Sequence, residues 1–408
     1  FSGEYIMVRS FFTTIAAALS AAALVTVAAC GVSQSPQSTS VSTTATPPVV
    51  VAAPTKIGHV WVVMLENESY ANSFGATTAP YLAKTLPAMG ALLKNYYGTG
   101  HVSLDNYISL ISGQGANAVT QSDCQFYVNF QGSGPQSALN GQAVGQGCVF
   151  PASVPNIADQ LRAAGISWKG YMEDMGNDAS RGVTATCGHP TLNSQDKTQT
   201  ASATDNYATR HNPFMYFHSI IDDQPYCDAH VVNLKSLDAD LADVSKTPVF
   251  NFITPGLCHD GHDAPCQSGE PGGLVSINTF LEELVPKIMA SPAFQQDGLL
   301  LVTFDESNGP QADSSACCGN TSVNTATPGL AAASDGTSGG GLIGAVAIAP
   351  WFIKPGTVSS TDYSHYSMLR TWQDIFGLQY LGYAAQSTQA SFGKDVFSLQ
   401  MPVFPTCL

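Results

Sequence analysis

The sequence predicts an α/β fold, a three-layer α/β/α sandwich with a mostly parallel central sheet. The first indication is that short apolar runs alternate with amphipathic segments, which is typical of strands alternating with helices. The second is that two apolar runs, 62–65 and 299–304, end directly in Glu66-Asn67 and Asp305-Glu306. Ligands of open α/β sheets bind beyond the carboxyl ends of the strands, so these endings also predict a site.

Apolar periodicity, together with turn residues at the ends of each segment, predicts the elements in order. Strands are predicted at residues 56–65, 166–171, 249–254, 299–304 and 342–349. Helices are predicted at residues 79–96 with a kink near Pro87, 104–112, 153–165, 276–290 and 366–376.

The N-terminal segment predicts export. After residues 1–6, which resemble upstream sequence, Arg9 and an apolar run at 15–29 lead into Ala28-Ala29-Cys30. Small residues before a cysteine are typical of a bacterial lipoprotein signal, so we expect a cell-envelope protein anchored to the membrane through lipidated Cys30. A plain signal peptide, giving a secreted protein, or a short anchor helix is the alternative.

Three regions follow from this pattern. Residues 1–30 are predicted to be upstream residues and a lipoprotein signal peptide. Residues 31–55 are uncharged and rich in Ser, Thr and Pro, which predicts a disordered tether. Residues 56–408 are long enough for one catalytic domain with a sizeable core.

Charge excludes one class of partner. The 408 residues contain 15 Lys and Arg and carry a net charge of −15. Nucleic acid binding needs a basic surface, so we expect no nucleic acid partner. An anionic substrate would approach such a protein poorly without a bound cation.

The cysteines of an exported chain are interpreted first as disulfides. Local spacing makes three pairs plausible, namely Cys124–Cys148, Cys187–Cys227 and Cys258–Cys266, with Cys317 or Cys318 reaching Cys407. Apart from Cys30 the number of cysteines is odd, so one thiol stays free or one pairing is wrong.

The two acidic strand endings predict a metal site. Glu66, Asn67, Asp305 and Glu306 would converge at one edge of the sheet, where three carboxylates repel one another unless a cation neutralises them. An all-oxygen ligand set favours one Ca²⁺, Mg²⁺ or Mn²⁺ ion over Zn²⁺, which prefers His and Cys.

Ser103 lies in a turn that opens the helix predicted at 104–112. A hydroxyl there sits where backbone N–H groups and the helix dipole stabilise an anion, and Asn106, one turn later, can donate to the same oxyanion. The alternative interpretation of Ser103 is an ordinary N-cap.

Several motifs occur together in a characteristic order. They are Glu66-Asn67-x-Ser69-Tyr70, His101-x-Ser103-Leu104-x-Asn106-Tyr107, His211-Asn212-Pro213-Phe214, His262-Asp263, Asp305-Glu306 and Tyr363-Ser364-His365-Tyr366. Together they resemble the bacterial acid phosphatase and phospholipase C phosphoesterase family, which belongs to the alkaline phosphatase superfamily. The resemblance covers nearly all of residues 56–408.

The resemblance implies roles for the motif residues. Glu66, Asn67, Asp305 and Glu306 would be metal ligands, and Ser103 would be the nucleophile and also touch the metal. Asn106 would help hold the phosphoryl oxygens. Asp105 departs from the pattern, because the family often has Pro there, and so does Val102 after His101.

The histidines of the motifs are candidates for phosphate contact and leaving-group protonation, roles that suit imidazolium. They are His101, His211, His262 and His365. The alternative for each is a hydrogen-bonded structural residue. A second metal site built from His259, His262 and His365 is the other possibility, and the resemblance to single-metal relatives disfavours it.

The resulting hypothesis is an exported, metal-dependent phosphomonoesterase of the acid phosphatase type that acts through a phosphoseryl intermediate on Ser103. A phospholipase C-type phosphodiesterase or a phosphoinositide phosphatase is the closest alternative, so phospholipids are among the candidate substrates. A non-catalytic lipoprotein that binds phosphate or cation is the second alternative.

Overall fold

The computed structural model describes residues 52–319 and 339–405. In chain order its strands are β1 His59–Leu65, β2 Ala91–Leu93, β3 Tyr96–Tyr97, β4 Phe126–Tyr127, β5 Gln131–Gln136, β6 Gln142–Gln146, β7 Trp168–Met172, β8 Ser194–Gln195, β9 Val231–Asn233, β10 Phe250–Thr254, β11 Gly298–Phe304, β12 Ala345–Ile348, β13 Thr357–Ser359 and β14 Tyr363–Ser364. The predictions for Cys30, for Cys407 and for most of the tether lie outside the described residues.

The α-helices of the described ranges vary widely in length. They are α1 Tyr70–Ser73, α2 Leu86–Met89, α3 Ser103–Ser112, α4 Ile157–Ala163, α5 His218–Ile221, α6 Gln224–His230, α7 Leu237–Leu241, α8 Gly273–Ala290, α9 Pro292–Asp297 and α10 His365–Phe376. A π-helical turn, Tyr81–Thr85, leads into α2. Single 3-10 turns occur at Thr120–Ser122, Ser137–Leu139, Ala179–Arg181, Thr209–His211, Pro213–Tyr216, Leu234–Ser236 and Gly382–Ala385. None of the helices in the described ranges is long and apolar enough to span a bilayer.

The central sheet has eight strands in the order β13-β2-β12-β11-β1-β10-β7-β9. Its neighbours pair in parallel except where β12 meets β11 and β2. The mostly parallel sheet predicted from the sequence is therefore confirmed, with β12 as the reversed strand. Every residue of β1 and β11 is buried, as expected for strands covered on both faces.

Helices cover both faces of this sheet. Phe250 of β10 is paired with Val60 and packs on Trp372 of α10, whereas the next residue of β1, Trp61, packs on Phe294 of α9. Successive side chains of a strand point to opposite faces, so α10 and α9 lie on opposite sides of the sheet. The predicted three-layer α/β/α arrangement is confirmed.

The helix predicted at 79–96 is wrong in its second half. Helical structure ends at Gly90, whose φ of −148° and ψ of −139° lie outside the helical region. Residues Ala91–Leu93 then pair with β12 on one side and β13 on the other. Strand pairing outweighs the helical propensity of this segment, a non-local effect that periodicity does not report.

Three of the predicted disulfides are present: Cys124–Cys148, Cys187–Cys227 and Cys258–Cys266. The prediction that Cys317 or Cys318 reaches Cys407 is wrong for these two adjacent cysteines, because they are bonded to each other, while Cys407 itself lies outside the described residues. Their sulfurs lie against the backbone carbonyls of Tyr363 and Asp362.

Candidate active site

The ends of β1 and β11 bring the two acidic pairs together. Leu65 is paired with Phe304, so Glu66 and Asp305 leave the sheet side by side. One oxygen of Asp305, Oδ1, accepts the backbone N–H of Asn67 at 2.9 Å and that of Glu306 at 2.6 Å. Asn67 has a positive φ of 59°, which turns the chain sharply after β1.

Ser103 is the first residue of α3 and faces Glu66. Its Oγ donates to Glu66 Oε2 at 2.8 Å, and the Asn67 amide donates to the same oxygen at 2.9 Å. The N-cap position belongs to Val102, so Ser103 does not act as an ordinary N-cap. Its hydroxyl is instead directed at a buried carboxylate at the positive end of a ten-residue helix.

Asn106 holds the loop before α3 rather than presenting a free amide. Its Oδ1 accepts the backbone N–H groups of Thr99 and Gly100 at 2.8 and 3.1 Å. Its Nδ2 donates to the Gly100 carbonyl at 2.9 Å and to Glu306 Oε2 at 3.2 Å. Asp105, the departure from the family pattern, is buried beside it, and burial raises the pKa of its carboxyl.

The carboxylates are crowded in a dry environment. Burial raises the pKa of Glu66 well above its usual range, and the nearby charges of Asp305 and Asp260 raise it further. Burial raises the pKa of Asp305 to about 6, and burial followed by the charge of Asp305 raises that of Glu306. Glu66 Oε1 and Asp305 Oδ2 are buried and receive no hydrogen bond from the described residues. These orphaned oxygens fit a divalent cation, which would supply the missing positive charge.

His211 lies between two carboxylates. Its Nδ1 is 3.0 Å from Asp260 Oδ2, and its Nε2 is 3.3 Å from Glu66 Oε1 in a geometry that is not a hydrogen bond. The imidazole stacks on Tyr107 with ring centroids 5.4 Å apart. Burial lowers its pKa well below the usual range, which favours the neutral ring over the imidazolium expected from the sequence.

His262 stands on a more open side of the site, together with Arg210. The Arg210 Nη2 lies 3.0 Å from His262 Nε2, and Arg210 Nε lies 3.8 Å from Asp123 Oδ2. The other oxygen of Asp123 accepts the backbone N–H of Leu104 at 3.0 Å, directly after Ser103. Next to His262 is a polar cavity of about 350 Å³ lined by Gln199, Thr200, Ala201, Asp263, Ala264, Pro265 and Gln267.

His365 and His101 serve the scaffold in this structure. His365 Nε2 meets the backbone carbonyl of Asp305 at 2.7 Å, and Tyr96 Oη lies 3.1 Å from His365 Nδ1. Both ring nitrogens are thus engaged behind the acidic turn, and burial lowers the pKa of this histidine to about 4. His101 Nε2 lies 2.9 Å from the Asp313 carbonyl.

Sequence reasoning missed Arg210, Asp123 and the ring of Tyr107. Arg210 directly precedes the His211 motif in the sequence, so an arginine next to a motif histidine was a usable signal. Tyr107 was visible only as a member of the Ser103 motif, and Asp123 had no signal, because Tyr107 reaches His211 across 104 residues and Asp123 reaches Arg210 across 87. Their roles depend on loops meeting in space.

Comparison with known protein families identifies the family of this chain. Residues 77–379 match the family described as Phosphoesterase family. The chain belongs to that family. Because the match takes in α3, His211, His262, Asp305 and His365, it covers most of the site described above.

Relatives of this phosphoesterase family member include a protein described as "Probable acid phosphatase" from Kluyveromyces lactis. The two are 25% identical over 324 residues, which is 79% of this chain and 59% of the yeast protein. A Mycobacterium tuberculosis protein named "Phosphatidylinositol-3-phosphatase" is 24% identical over 342 residues, 82% of each chain. A solved alkaline phosphatase superfamily structure from Vibrio parahaemolyticus aligns at 13% identity with a TM-score of 0.45, covering 84% of this chain and 72% of the other.

Proposed function

We propose that this chain is an exported, metal-dependent phosphomonoesterase that uses Ser103 as its nucleophile. The observation that carries the proposal is the 2.8 Å hydrogen bond from Ser103 Oγ to buried Glu66 Oε2 at the start of α3. A serine hydroxyl needs an adjacent base or a metal to become a nucleophile, and this arrangement offers a base together with carboxylates that would hold a metal. The yeast and mycobacterial relatives, described as phosphatases, support the same class of reaction.

The chain's residues divide the reaction into two steps. Ser103 Oγ forms a bond to phosphorus as the bond from phosphorus to the ester oxygen breaks, and its proton passes toward Glu66. His262 gives a proton to the departing alcohol, and the polar cavity next to it leaves room for that group. Water then gives a proton back to His262 as it attacks phosphorus, the bond to Oγ breaks, Glu66 returns the proton to Oγ, and inorganic phosphate leaves.

The residues at the strand ends would hold a divalent ion. Glu66, Asp305 and Glu306 supply carboxylates, and Asn67 and Ser103 supply neutral oxygens. Such an ion neutralises the carboxylates and polarises phosphoryl oxygens. Arg210 and the positive end of the α3 dipole add positive potential for the equatorial oxygens.

A phosphoinositide phosphatase is the second candidate. The mycobacterial relative carries that name and matches over 82% of both chains, more of its own length than the yeast relative. Lipid anchoring at Cys30 would bring the site to a membrane surface. Binding without catalysis is disfavoured, because Ser103 is present and directed at a base.

Turnover of p-nitrophenyl phosphate by residues 31–408 tests the proposal, after EDTA treatment and then with Ca²⁺, Mg²⁺, Mn²⁺ or Zn²⁺ restored. We expect EDTA to abolish turnover and one cation to restore it. Turnover of p-nitrophenylphosphorylcholine alone would reassign the protein to the phosphodiesterases. Release of phosphate from a short-chain phosphatidylinositol phosphate, but not from p-nitrophenyl phosphate, would favour the second candidate. Full activity in EDTA would contradict metal dependence.

A further inference from the structure

Three buried polar atoms belong to the part of the site that Ser103 faces, and two of them, Glu66 Oε1 and His211 Nε2, lie 3.3 Å apart. The three are Glu66 Oε1, Asp305 Oδ2 and His211 Nε2, and none has a hydrogen-bond partner among the described residues. Their residues are at most 1% exposed. An unsatisfied buried polar atom costs about 1–3 kcal/mol, so a ligand that satisfied these three would stabilise the site.

The third of these atoms is nitrogen, and its lone pair is directed into the cluster. Asp260 Oδ2 lies 3.0 Å from His211 Nδ1, and its other oxygen accepts the backbone N–H of His262 at 2.8 Å. An ionised Asp260 can only accept hydrogen bonds, so it favours the tautomer with the proton on Nδ1. With the proton on Nδ1, Nε2 is an acceptor. The stacked ring of Tyr107, inclined by 5°, holds the imidazole in this plane.

In this tautomer His211 Nε2 and Glu66 Oε1 are two hydrogen-bond acceptors that face each other. They are 3.3 Å apart, and two such atoms repel unless a positive charge lies against both. Donor atoms at about 2.0–2.2 Å from one ion, at tetrahedral to octahedral angles, are themselves separated by roughly 3.0–3.5 Å. The observed separation matches that of two ligands of a single ion.

We propose that His211 is a nitrogen ligand of the divalent cation, through Nε2, with Asp260 as the positioning residue that fixes its tautomer. A carboxylate that accepts the second N–H of a ligating histidine is a common arrangement at metal sites. The inference rests on the metal dependence proposed above. The role assigned to His211 thereby changes from phosphate contact to metal ligation, together with Glu66 and Asp305.

A nitrogen ligand changes which ion the site selects. Ca²⁺ and Mg²⁺ take oxygen ligands almost exclusively, whereas imidazole suits Mn²⁺ less than Fe²⁺, Co²⁺ or Zn²⁺. We therefore expect the protein to bind Mn²⁺, Co²⁺ and Zn²⁺ more tightly than Ca²⁺ or Mg²⁺. The all-oxygen ligand set inferred from the sequence instead favours Ca²⁺, Mg²⁺ or Mn²⁺ over Zn²⁺.

Pulsed EPR of the Mn²⁺-loaded protein tests this ligand directly. Spectra are recorded for wild type, His211→Asn and His262→Asn, each produced once with natural-abundance histidine and once with ¹⁵N-labelled histidine. We expect a histidine nitrogen coupling in wild type and in His262→Asn, and its loss in His211→Asn. The His262 ring is the matched control, since its centroid is 5.8 Å from that of His211 and its nitrogens contact Arg210 and Asp263. Asp260→Asn should retain the coupling but weaken Mn²⁺ affinity about 10–100-fold.

The outcomes separate this inference from the proposed function. Bound Mn²⁺ that restores turnover but shows no nitrogen coupling in wild type would overturn the role of His211 and leave the phosphatase proposal standing. A coupling that survives in His211→Asn would also overturn it. Failure of wild type to bind any of the ions would overturn both, and the wild-type spectrum does not depend on whether a variant folds.

Discussion

Two clusters of histidine and carboxylate lie near each other at the same edge of the sheet, and they are built in opposite ways. In the first, His211 lies between Glu66 and Asp260, fully buried, and burial lowers its pKa. In the second, His259 lies 2.8 Å from Glu173 and 3.1 Å from Glu270, partly exposed, and these partners raise its pKa to about 9. His259 and Asp260 are neighbours in the chain, so composition and position alone do not separate the clusters.

The clusters differ in whether their buried polar atoms find hydrogen-bond partners within the protein. Both ring nitrogens of His259 have carboxylate partners, so an imidazolium there compensates part of the negative charge of Glu173 and Glu270 within the protein. Around His211 the described residues leave Glu66 Oε1 and Asp305 Oδ2 without donors, and their charges are uncompensated. A self-satisfied cluster stabilises the fold, whereas an unsatisfied one is poised for a ligand, consistent with the rule that perturbed titratable groups gather at functional sites.

The largest expected effect comes from removing the hydroxyl that faces the unsatisfied cluster. Ser103→Ala should lower kcat/KM for p-nitrophenyl phosphate by at least about 10³-fold, because no nucleophile would remain. Ser112→Ala is the control on the same helix, since its hydroxyl donates to the Ile108 carbonyl at 2.6 Å and accepts the backbone N–H of Gln114 at 3.2 Å, with no contact to Glu66. We expect both variants to keep the thermal unfolding midpoint within a few degrees of wild type. Near-normal activity of Ser103→Ala would refute the assigned nucleophile.

Much of this architecture could be predicted from local patterns. Apolar strands ending in acidic pairs put Glu66 and Asp305 at the same sheet edge, since parallel strands share a direction. The start of α3 at Ser103 followed from its flanking turn. Both depend on residues adjacent in sequence.

The two clusters could not be told apart in this way. The pairing of His211 with Asp260 spans 49 residues, and that of His259 with Glu173 spans 86. Which histidine becomes buried against which carboxylate depends on how the loops after β7 and β10 pack. For the same reason the sequence does not reveal that His365 supports the Asp305 carbonyl from behind.

The second prediction concerns the charge of the unsatisfied cluster. Glu66→Gln should weaken Mn²⁺ binding by about 10²-fold or more, since a direct ligand matters at least as much as an outer one. In EDTA the same variant should be more stable than wild type by about 1 kcal/mol, because the new amide N–H can donate to His211 Nε2. Isothermal titration and urea unfolding measure the two effects. A less stable metal-free variant would mean that a proton already joins Glu66 to His211.

The smallest effect is expected for the His259 cluster, where the substitution lowers the stability of the fold instead of raising it. Glu173→Gln should leave Mn²⁺ affinity unchanged and lower stability by about 0.5–1 kcal/mol near pH 6, after allowance for solvent screening of a partly exposed pair. The folded-state pKa of His259, about 9, lies above the unfolded value of about 6.5. Its contribution to stability is therefore complete below about pH 6.5 and is lost as pH rises through 9. Urea unfolding of wild type and variant between pH 6 and 10 should show the difference shrinking across that window. A difference that stays constant with pH would mean that Glu173 stabilises the fold through its hydrogen bond from the Gly256 N–H, at 2.8 Å, rather than through His259.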